Sequence, residues 1–392
     1  MKAFSLSAEQ VTAICAALIV DELGVQFARD IDLATGAEWN ADTPLFDGGA
    51  CLSEEEMKAV AARIARFFSH PELAVGIEMQ TASAKIGELA KLAHGAISAA
   101  LLGFSFAPAG GGEEAVHSAD QVFADAAAVA NLLYGRRRVI SLIAPHSLIG
   151  FALTVLAPSL LSAPSLDARG MAPGELSRAL AFGDAVVATP SLWRYLVTQD
   201  VSPPDNAMAV MFGEPLTVEL SSAIRKSGFG AQREVYGSTE TGLIAWRDSP
   251  SDAFTLFDHW RRTDATIARA APLGAESEIE PMDVFQWESD RRFRLGGRRD
   301  GAVQIGAVNV FPERIAALIA DHPAIECCTI KASRHANGGD RLVAEITLKN
   351  GAVSETLARS IDQWCRTKLR PQERPRVYNY IGAASAKPAR RA

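Results

Sequence analysis

The chain has 392 residues, of which 48% are hydrophobic and 22% charged, and this composition predicts a globular protein large enough for two domains. Its formal net charge of -7 argues against a nucleic-acid partner, because such binding needs a basic surface. The most apolar stretch, residues 138–161, is interrupted by Pro145, His146, Ser147 and Pro158, so we expect no membrane partner.

Two features bear on the location of the protein. The N-terminal residues lack a basic segment followed by an apolar core and a small-residue cleavage site, so we expect no export. The five cysteines form no Cys-x-x-Cys pair, which favours reduced thiols in the cytoplasm and argues against a zinc site.

The first 75 residues have the periodicity of helices. Apolar residues recur at helical spacing over Ala8–Leu23 and again over Ser53–Phe68, where Ser53 stands at the N-cap position.

From residue 138 the pattern changes to strands that alternate with helices. The predicted elements are strands at 138–144, 185–188, 207–212 and 234–236, and helices at 148–161, 193–197 and 218–226. This alternation predicts a mixed or parallel sheet that is covered on both faces.

A second, smaller α/β domain is predicted from residue 300 to residue 392. It has strands at 302–305, 325–331 and 342–348, and helices at 312–320 and 354–369. The fold class is therefore α/β, with a large N-terminal mixed α/β domain of layered sheets over 1–299 and a small mobile C-terminal domain. An Arg/Gly-rich joint at 296–301 connects the two, and its alternative interpretation is a plain surface turn.

The segment YGSTETG, residues 236–242, is the most informative motif in the chain. Its hydroxyls and backbone N–H groups suit phosphate oxygens, its glycines permit close approach, and its carboxylate suits a hard cation. The alternative is an ordinary loop, since Ser, Thr and Gly clusters are common in loops. In an α/β sheet, ligands lie beyond the carboxyl ends of strands, where this segment falls.

This string resembles the hallmark of the adenylate-forming superfamily, which comprises acyl-CoA synthetases, peptide-synthetase adenylation domains and luciferases. The resemblance implies that ATP, Mg2+ and CoA are used, and that Gly237, Ser238 and Thr239 contact the nucleotide. Thr239 would contact the α-phosphate and Glu240 would bind magnesium, so both are candidate catalytic residues. Tyr236 would pack on the adenine, with a core aromatic as the alternative.

Three further segments resemble motifs of the same superfamily, in the same order. Gly213 opens a Gly-Glu-Pro-Leu turn beside the acyl pocket, which Gly237 and Gly242 would also line. Asp290 follows Ser289 and would hold the ribose hydroxyls, since charge-assisted hydrogen bonds are strong. In the run GRRDGAVQIGAVNVFP, residues 297–312, Arg298 would approach the ribose or phosphate and Asp300 would be the hinge.

Three remaining positions carry weaker signals. Gly306 and Asn309 of the same run would line the channel of the thiol. Lys387, in the stretch ASAKPARRA, matches the catalytic lysine that the superfamily carries near its C-terminus, although the usual preceding glycine is absent. A disordered basic tail is the alternative for this stretch.

Two segments depart from the superfamily pattern. The glycine loop at 108–115 keeps its glycines but lacks the hydroxyls and the lysine, and Glu113 and Glu114 would repel pyrophosphate. Loss of charge-assisted bonds worth about 1.5–3 kcal/mol each predicts weak ATP binding or slow turnover, unless the segment is a plain turn without a ligand. The run APHSLIGF resembles the mouth of the acyl pocket, with His146, Ser147 and Gly150 as candidate substrate-binding residues; a structural histidine is the alternative.

Within the superfamily, the chain resembles the compact p-coumarate:CoA ligases linked to photoactive yellow protein. The implied function is ATP-dependent activation of 4-coumarate or a similar aromatic acid, followed by thioester formation with CoA. The alternatives are a ligase that loads 4-hydroxybenzoate-type acids onto an acyl-carrier protein, and a non-catalytic family member. In such relatives the N-terminal stretch resembles a carrier helix pair, but Ser53 fits a helix N-cap better than a phosphopantetheine acceptor.

Overall fold

The structure is a computed structural model that describes residues 5–79, 84–108, 113–264, 266–270, 277–305, 308–334, 340–349 and 353–381. The chain forms two compact units. The first unit comprises Met1–Pro281 and Trp287–Arg294, and the second comprises Met282–Gln286 and Leu295–Ala392.

The first unit begins with helices: α1 Ala8–Phe27, α2 Leu33–Glu38, α3 Glu54–Phe67, α4 Leu73–Glu78 and α5 Ile86–Ala99. Ser53 caps α3, as predicted: its hydroxyl accepts a hydrogen bond from the Glu56 N–H at 3.2 Å, and the Glu56 carboxylate accepts from the Ser53 N–H at 2.8 Å. This reciprocal capping box accounts for Ser53 as a structural residue.

Helix α1 corrects one expectation from the sequence. By length and composition alone, Ala8–Phe27 is apolar enough to cross a membrane, with a mean hydropathy of 1.4, whereas we expected no such segment. Most of its apolar residues from Val11 to Leu23 are buried within the first unit, where α1 packs against α3 and α5. A buried core helix meets the same criterion, so the finding is weak support for a membrane span.

A two-stranded ribbon follows, in which β1 Gly103–Phe106 pairs with β2 Ala115–Ser118 in antiparallel fashion. Helix α6, Ala119–Leu132, then leads into the central sheet. The sheet has nine strands in the order β13-β14-β9-β8-β7-β6-β5-β3-β4. Their bounds are β3 Arg138–Ser141, β4 Ser165–Asp167, β5 Asp184–Ala188, β6 Met208–Phe212, β7 Ala231–Ser238, β8 Gly242–Arg247, β9 Phe254–Leu256, β13 Asp283–Trp287 and β14 Arg292–Arg298.

The sheet is mixed, as the alternating pattern predicted. Strands β4, β3, β5, β6 and β7 are parallel, and the direction reverses from β7 to β8 and again from β8 to β9. Every residue of β5 and β6 is buried, because both faces of these central strands are covered. Strands β10 Trp260–Arg262, β11 Ile267–Arg269 and β12 Ser277–Ile279 form a separate antiparallel sheet.

The helices between the strands are α7 Leu148–Gly150, a π-helical turn Phe151–Leu156, α8 Ala157–Leu161, α9 Pro173–Ala179, α10 Pro190–Thr198 and α11 Val218–Lys226. They match their sequence signals in part: the helix predicted over 148–161 is divided by a π-helical turn, and α9 was not predicted. Thr189 and Thr217 cap α10 and α11 through their hydroxyls. Trp193 of α10 is fully buried and donates a hydrogen bond to the Val210 carbonyl at 3.1 Å, which ties this helix to β6.

The second unit has a core of its own. Its elements are β15 Val303–Ile305, β16 Val308–Val310, α12 Pro312–Ala320, β17 Ile325–Arg334, β18 Asp340–Leu348, α13 Glu355–Lys368, a 3-10 turn Pro371–Glu373 and β19 Val377–Ile381. Strands β17, β18 and β19 form a sheet in which β18 and β19 are parallel. Ile315, Ile319 and Ile361 from the two helices are buried in this core.

Candidate functional site

The motif at 236–242 forms the end of β7, a tight turn and the start of β8. A bulge between Tyr236 and Gly237 shifts the register of the two strands. Within the turn, the Ser238 and Thr241 side chains lie 3.1 Å apart, and each accepts a hydrogen bond from the other residue's backbone N–H. Thr239 is half-buried and Glu240 is exposed, so the turn presents one hydroxyl and one carboxylate at the carboxyl edge of the parallel strands.

Two glycines are required by the geometry of this turn. A Cβ atom on Gly237 would lie 2.3 Å from the Gly242 carbonyl oxygen. Gly242 has φ +81°, and a Cβ there would lie 2.5 Å from the Asp125 carboxylate and 2.7 Å from the Arg269 guanidinium. Only glycine fits both positions, because any side chain would collide with backbone or with a buried ion pair.

That buried ion pair was not found from the sequence. Asp125 of α6 accepts from the Arg269 guanidinium at 2.6 Å, and both side chains are at most 3% exposed. The Asp125 carboxylate also accepts from the Leu243 N–H at 2.9 Å, and Arg269 donates to the Thr241 carbonyl at 3.1 Å. The two residues are 144 positions apart in the sequence, and no local pattern links them.

Tyr236 lies on β7 beside an aromatic cluster. Its ring centroid is 5.5 Å from that of Phe254 and 6.0 Å from that of Phe293. The tyrosine is half-buried, so the cluster supports one part of the ring while another part stays accessible. This placement accommodates both sequence interpretations, because a ring packed on one side still offers surface for stacking.

The Gly213-Glu214-Pro215-Leu216 turn follows β6, beside β7. Gly213 has φ +84°, a conformation that favours glycine. The Leu216 N–H donates to the buried Glu234 carboxylate at 3.0 Å, and Arg247 of β8 is paired with the same carboxylate at 2.6 Å. Burial raises the pKa of Glu234, and the hydrogen bond and charge of Arg247 oppose that rise.

Glu214 is half-buried. One of its carboxylate oxygens accepts from the Ser191 hydroxyl at 2.6 Å. The other oxygen, Oε1, is buried and has no hydrogen-bond partner among the described residues. A buried acceptor of this kind indicates a place for a polar ligand or water.

The segment 146–150 precedes and enters α7, which packs against β8. The Ser147 hydroxyl caps this helix, since it accepts from the Gly150 N–H at 3.1 Å and donates to the Ala144 carbonyl at 3.0 Å. A Cβ on Gly150 would lie 2.1 Å from that carbonyl, so this position requires glycine. The His146 Nε2 atom lies 3.6 Å from the Asp21 carboxylate, and its buried Nδ1 atom has no partner among the described residues.

The end of the glycine loop is anchored by charge. Residues 109–112 lie outside the described residues, but Glu114 accepts from the Ser105 hydroxyl at 2.6 Å and pairs with Arg63 and Arg66, each at 3.2 Å. Burial opposes ionisation of Glu114, but the hydrogen bond from Ser105 and the two arginines outweigh it and lower the pKa. We expected Glu114 to repel pyrophosphate; the structure shows that two arginines compensate its charge.

In the second unit, the joint is built from local contacts. Arg298 donates two hydrogen bonds to Asp300, at 2.9 and 2.6 Å, and the Ala302 N–H donates to the same carboxylate at 3.1 Å. Gly301 follows with φ +66°. Asn309 lies in β16 opposite Gln304 of β15. Gly306 and Lys387 lie outside the described residues.

The two aspartates of the β13–β14 hairpin occupy different positions. Asp290, the predicted ribose ligand, is exposed in the turn between the strands, where Glu288 and Ser289 donate to the Arg292 carbonyl. Asp283, at the start of β13, is half-buried and lies 4.0 Å from Arg298. The structure therefore places Asp283, which the sequence analysis did not single out, next to the predicted nucleotide-binding arginine.

Comparison with known proteins defines the class of this chain. No protein-family model matches it. A curated 4-coumarate–CoA ligase from Halorhodospira halophila is 31% identical over 382 residues, which cover 94% of this chain and 95% of the relative. A 4-coumarate–CoA ligase from Rhodobacter capsulatus is 32% identical over 224 residues, 56% of this chain and 55% of the relative.

Two solved structures share the fold. A malonyl-CoA ligase, in a ternary product complex with methylmalonyl-CoA and AMP, matches with a TM-score of 0.57 at 17% identity over 72% of this chain and 71% of its own. The amide bond synthetase McbA from Marinactinospora thermotolerans also matches with a TM-score of 0.57, at 14% identity over 96% of this chain and 91% of its own.

The chain belongs to the adenylate-forming superfamily, so the predictions of family and fold class are confirmed. Within that superfamily it is an acid–thiol ligase, an acyl-CoA synthetase that works through an acyl adenylate made from ATP.

Proposed function

We propose that this ligase activates 4-coumarate or a closely related aromatic acid and transfers the acyl group to CoA. The observation that carries the proposal is the 31% identity to a 4-coumarate–CoA ligase over 94% of the chain. The proposal includes membership of the compact p-coumarate:CoA ligase subgroup linked to photoactive yellow protein. It also includes a cytoplasmic location, which the five free cysteines favour.

In the first unit, we propose that the turn at 236–242 binds ATP. Thr239 would donate its hydroxyl to the α-phosphate, and Glu240 would hold Mg2+. Glu240 fits that role because its carboxylate is an exposed hard oxygen ligand. The backbone of the turn is held in place by hydrogen bonds to Asp125 and Arg269. No three His, Cys, Asp or Glu side chains cluster as a metal site in the described part of the chain, so phosphate and water oxygens would complete the shell. When bound, Mg2+ supplies charge neutralisation at the phosphates.

The acyl pocket is proposed to lie among His146, Ser147, Gly150 and Gly213. One buried acceptor without a partner among the described residues supports a polar recognition element beside Gly213, namely Glu214 Oε1. A phenolic hydroxyl donates one hydrogen bond, which makes a 4-hydroxylated aryl acid a suitable ligand for such an acceptor. The Ser147 hydroxyl is already engaged in capping α7, so we assign it to the shape of the pocket rather than to a hydrogen bond.

In the second unit, we propose that Arg298 contacts the ribose or phosphate and that Asp300 is the hinge residue. The ribose hydroxyls are assigned to an aspartate of the β13–β14 hairpin, either Asp290 or the half-buried Asp283. Lys387 is proposed as the catalytic cation of the first step, and Gly306 and Asn309 as residues of the thiol channel.

The chemistry has two steps. A carboxylate oxygen of the acid attacks the α-phosphorus of ATP, a new O–P bond forms, and pyrophosphate leaves with the electron pair of the broken bond. The sulfur of CoA then attacks the acyl carbon, its proton is lost to solvent, and AMP leaves. Positioning and charge neutralisation supply most of the rate enhancement in phosphoryl chemistry, so the orientation of Thr239 and Glu240 matters more than acid–base strength.

The test is incubation of the purified chain with 4-coumarate, ATP, Mg2+ and CoA. Formation of the thioester is expected to give a red-shifted absorbance, and Lys387→Ala is expected to abolish ATP–pyrophosphate exchange. Lys331→Ala is the matched control, because Lys331 is exposed and paired with Glu345 in the same unit. If an acyl-carrier protein gains the mass of the acyl group while CoA does not react, the carrier protein is the acceptor instead of CoA. Absence of ATP–pyrophosphate exchange with every aryl acid would refute the proposal.

A second experiment tests the hydroxyl recognition. Glu214→Gln is expected to raise KM for 4-coumarate several-fold while KM for cinnamate, which lacks the hydroxyl, stays unchanged. A single neutral hydrogen bond is worth about 0.5–1.5 kcal/mol and one to a charged group about twice that, so a three- to tenfold effect is the scale. Equal changes in KM for both acids would show that Glu214 does not recognise the hydroxyl group of 4-coumarate.

A further inference from the structure

The backbone of the turn is held by side chains from outside its own hairpin. Every second residue of the turn has a backbone group that is hydrogen-bonded to a side chain. These residues are Thr239, Thr241 and Leu243. His117 Nε2 lies 2.7 Å from the Thr239 carbonyl oxygen, which adds β2 to the supports already described from α6 and β11. The Leu243 carbonyl in turn accepts from Trp260 Nε1 at 2.6 Å. In a regular hairpin the partner strand would supply such bonds.

These bonds fix peptide planes. No cis peptide bond occurs in the described chain, and in a trans peptide the C=O and the following N–H point in opposite directions. The Thr239 carbonyl is directed at His117, so the Glu240 N–H is directed away from it. The same plane carries the Cα atoms of Thr239 and Glu240, and its orientation therefore sets where the Thr239 hydroxyl and the Glu240 carboxylate can be placed.

The hydrogen-bond chemistry identifies His117 as the donor. A carbonyl oxygen can only accept, so Nε2 must carry the proton. The His117 side chain is buried, with 5% exposed, and burial lowers its pKa below the ordinary value. Burial thus favours the neutral imidazole with its proton on Nε2, and the ring packs against Phe106 with 6.0 Å between the centroids.

We propose that His117 is a positioning residue for the adenylation step: it orients the Thr239–Glu240 peptide, and the Asp125–Arg269 pair holds the following peptides in register. The inference rests on the proposed nucleotide-binding role of the turn. His117 itself need not touch ATP. Its loss is expected to impair steps that use the turn, while steps that depend on CoA alone are unaffected.

The experiment compares two substitutions at one position. Glutamine places an amide N–H close to the location of His Nε2, whereas leucine has similar bulk and no donor. His117→Leu is expected to raise KM for ATP and lower kcat of ATP–pyrophosphate exchange, by at least tenfold in kcat/KM, because small misplacements of catalytic groups cost about 100-fold. His117→Gln is expected to stay within about threefold, since it keeps a neutral hydrogen-bond donor at the same place. KM for CoA should be unchanged in both.

His70 provides a matched control. It is another buried histidine in the first unit, and its Nε2 atom also lies close to a backbone carbonyl, that of Ala100, at 2.6 Å. His70→Leu therefore removes a similar bond away from the turn. It is expected to lower the melting temperature while leaving KM for ATP within about twofold, because additivity holds for distant sites. If His117→Leu and His70→Leu change the kinetics equally, the positioning role is wrong.

Failure of the substrate assignment can be separated from failure of this inference. If wild type does not turn over 4-coumarate, the dissociation constant of Mg-ATP is measured directly by titration. Weaker binding to His117→Leu than to wild type, with recovery in His117→Gln, would still support the role of His117. Should His117→Leu not fold, His117→Asn replaces it, because its shorter amide cannot reach the carbonyl. Equal ATP binding by wild type, the donor-less variant and the Gln variant would overturn the proposal.

Discussion

The turn at 238–242 and the joint at 298–302 are held in opposite ways. Side chains from α6, β2 and β11 hold the turn through nearly inaccessible groups, and the Asp125–Arg269 pair links residues 144 positions apart. The Arg298 and Asp300 side chains of the joint are 21% and 23% exposed, and the Arg298–Asp300 and Ala302–Asp300 bonds each span two residues. The difference indicates that the turn is built to keep one conformation, whereas the joint is held by contacts within itself and with residues 282–283 of the neighbouring chain segment.

The largest effect is expected when one partner of the buried Asp125–Arg269 pair is removed. Asp125→Ala is expected to lower the free energy of unfolding of the first unit by about 3–5 kcal/mol, because it leaves the Arg269 charge buried without its carboxylate. Denaturant titration measures this change. Arg298→Ala in the joint is the counterpart and should cost about 1 kcal/mol, because both partners of the Arg298–Asp300 pair keep contact with water. Similar losses in both variants would contradict the contrast.

Substitutions at three glycines compare the backbone constraints of the turn with those of the joint. Gly242→Ala should cost more than about 2 kcal/mol, because positive φ adds strain to a collision with the buried pair. Gly301→Ala should cost about 1 kcal/mol, since it has the same sign of φ but no atom within contact distance. Gly297→Ala, with open space and no positive φ, should stay within about 0.5 kcal/mol. Thermal unfolding of the three variants gives the ranking, and any other order would refute the argument.

The hairpin aspartates test which acid serves the nucleotide. Asp283→Ala is expected to raise KM for ATP about tenfold, which corresponds to roughly 1.4 kcal/mol, because Asp283 is half-buried beside Arg298. Asp290→Ala, at the exposed tip, is the matched control and should change KM by less than about twofold. A larger effect at Asp290 would restore the ribose assignment made from the sequence.

The smallest expected effect concerns pH. The hydrogen bond from Arg298 lowers the pKa of Asp300 below its ordinary value of 3.8, and burial opposes this only in part. The ionised carboxylate is therefore favoured in the folded state, and its contribution is present above the unfolded pKa and lost as pH falls through the folded one. The stability of wild type minus that of Asp300→Asn should be below about 1 kcal/mol at neutral pH and should shrink as the pH falls below 3.8. In an Arg298→Ala background the pH dependence of this difference should be weaker.

Local signals in the sequence predicted much of the fold. The boundaries of α11 and α12 follow from the Thr217 cap and from Pro312 in the first helical turn, both of which act within a few residues. Strands β9–β12 were missed because each has only three residues, too few for alternation to be recognised.

The candidate site was predictable only in part. The motif YGSTETG was visible because its residues are contiguous, but His117, Asp125 and Arg269 come from three distant elements and carry no spacing signal. Asp290 was chosen from its neighbour Ser289, whereas the hairpin brings Asp283 and Arg298 together across two strands. Such pairings follow from sheet register, which the sequence does not specify locally.

The arrangement around Glu114 limits how the glycine loop could be altered. A lysine introduced at this position to supply the missing phosphate-binding cation would stand against Arg63 and Arg66 and would take away the acceptor of the Ser105 hydroxyl. Three positively charged side chains would then lie close together in a partly buried region. A change of Glu114 to lysine is therefore expected to need compensating changes around Arg63 and Arg66, so the end of the glycine loop and helix α3 are coupled in sequence.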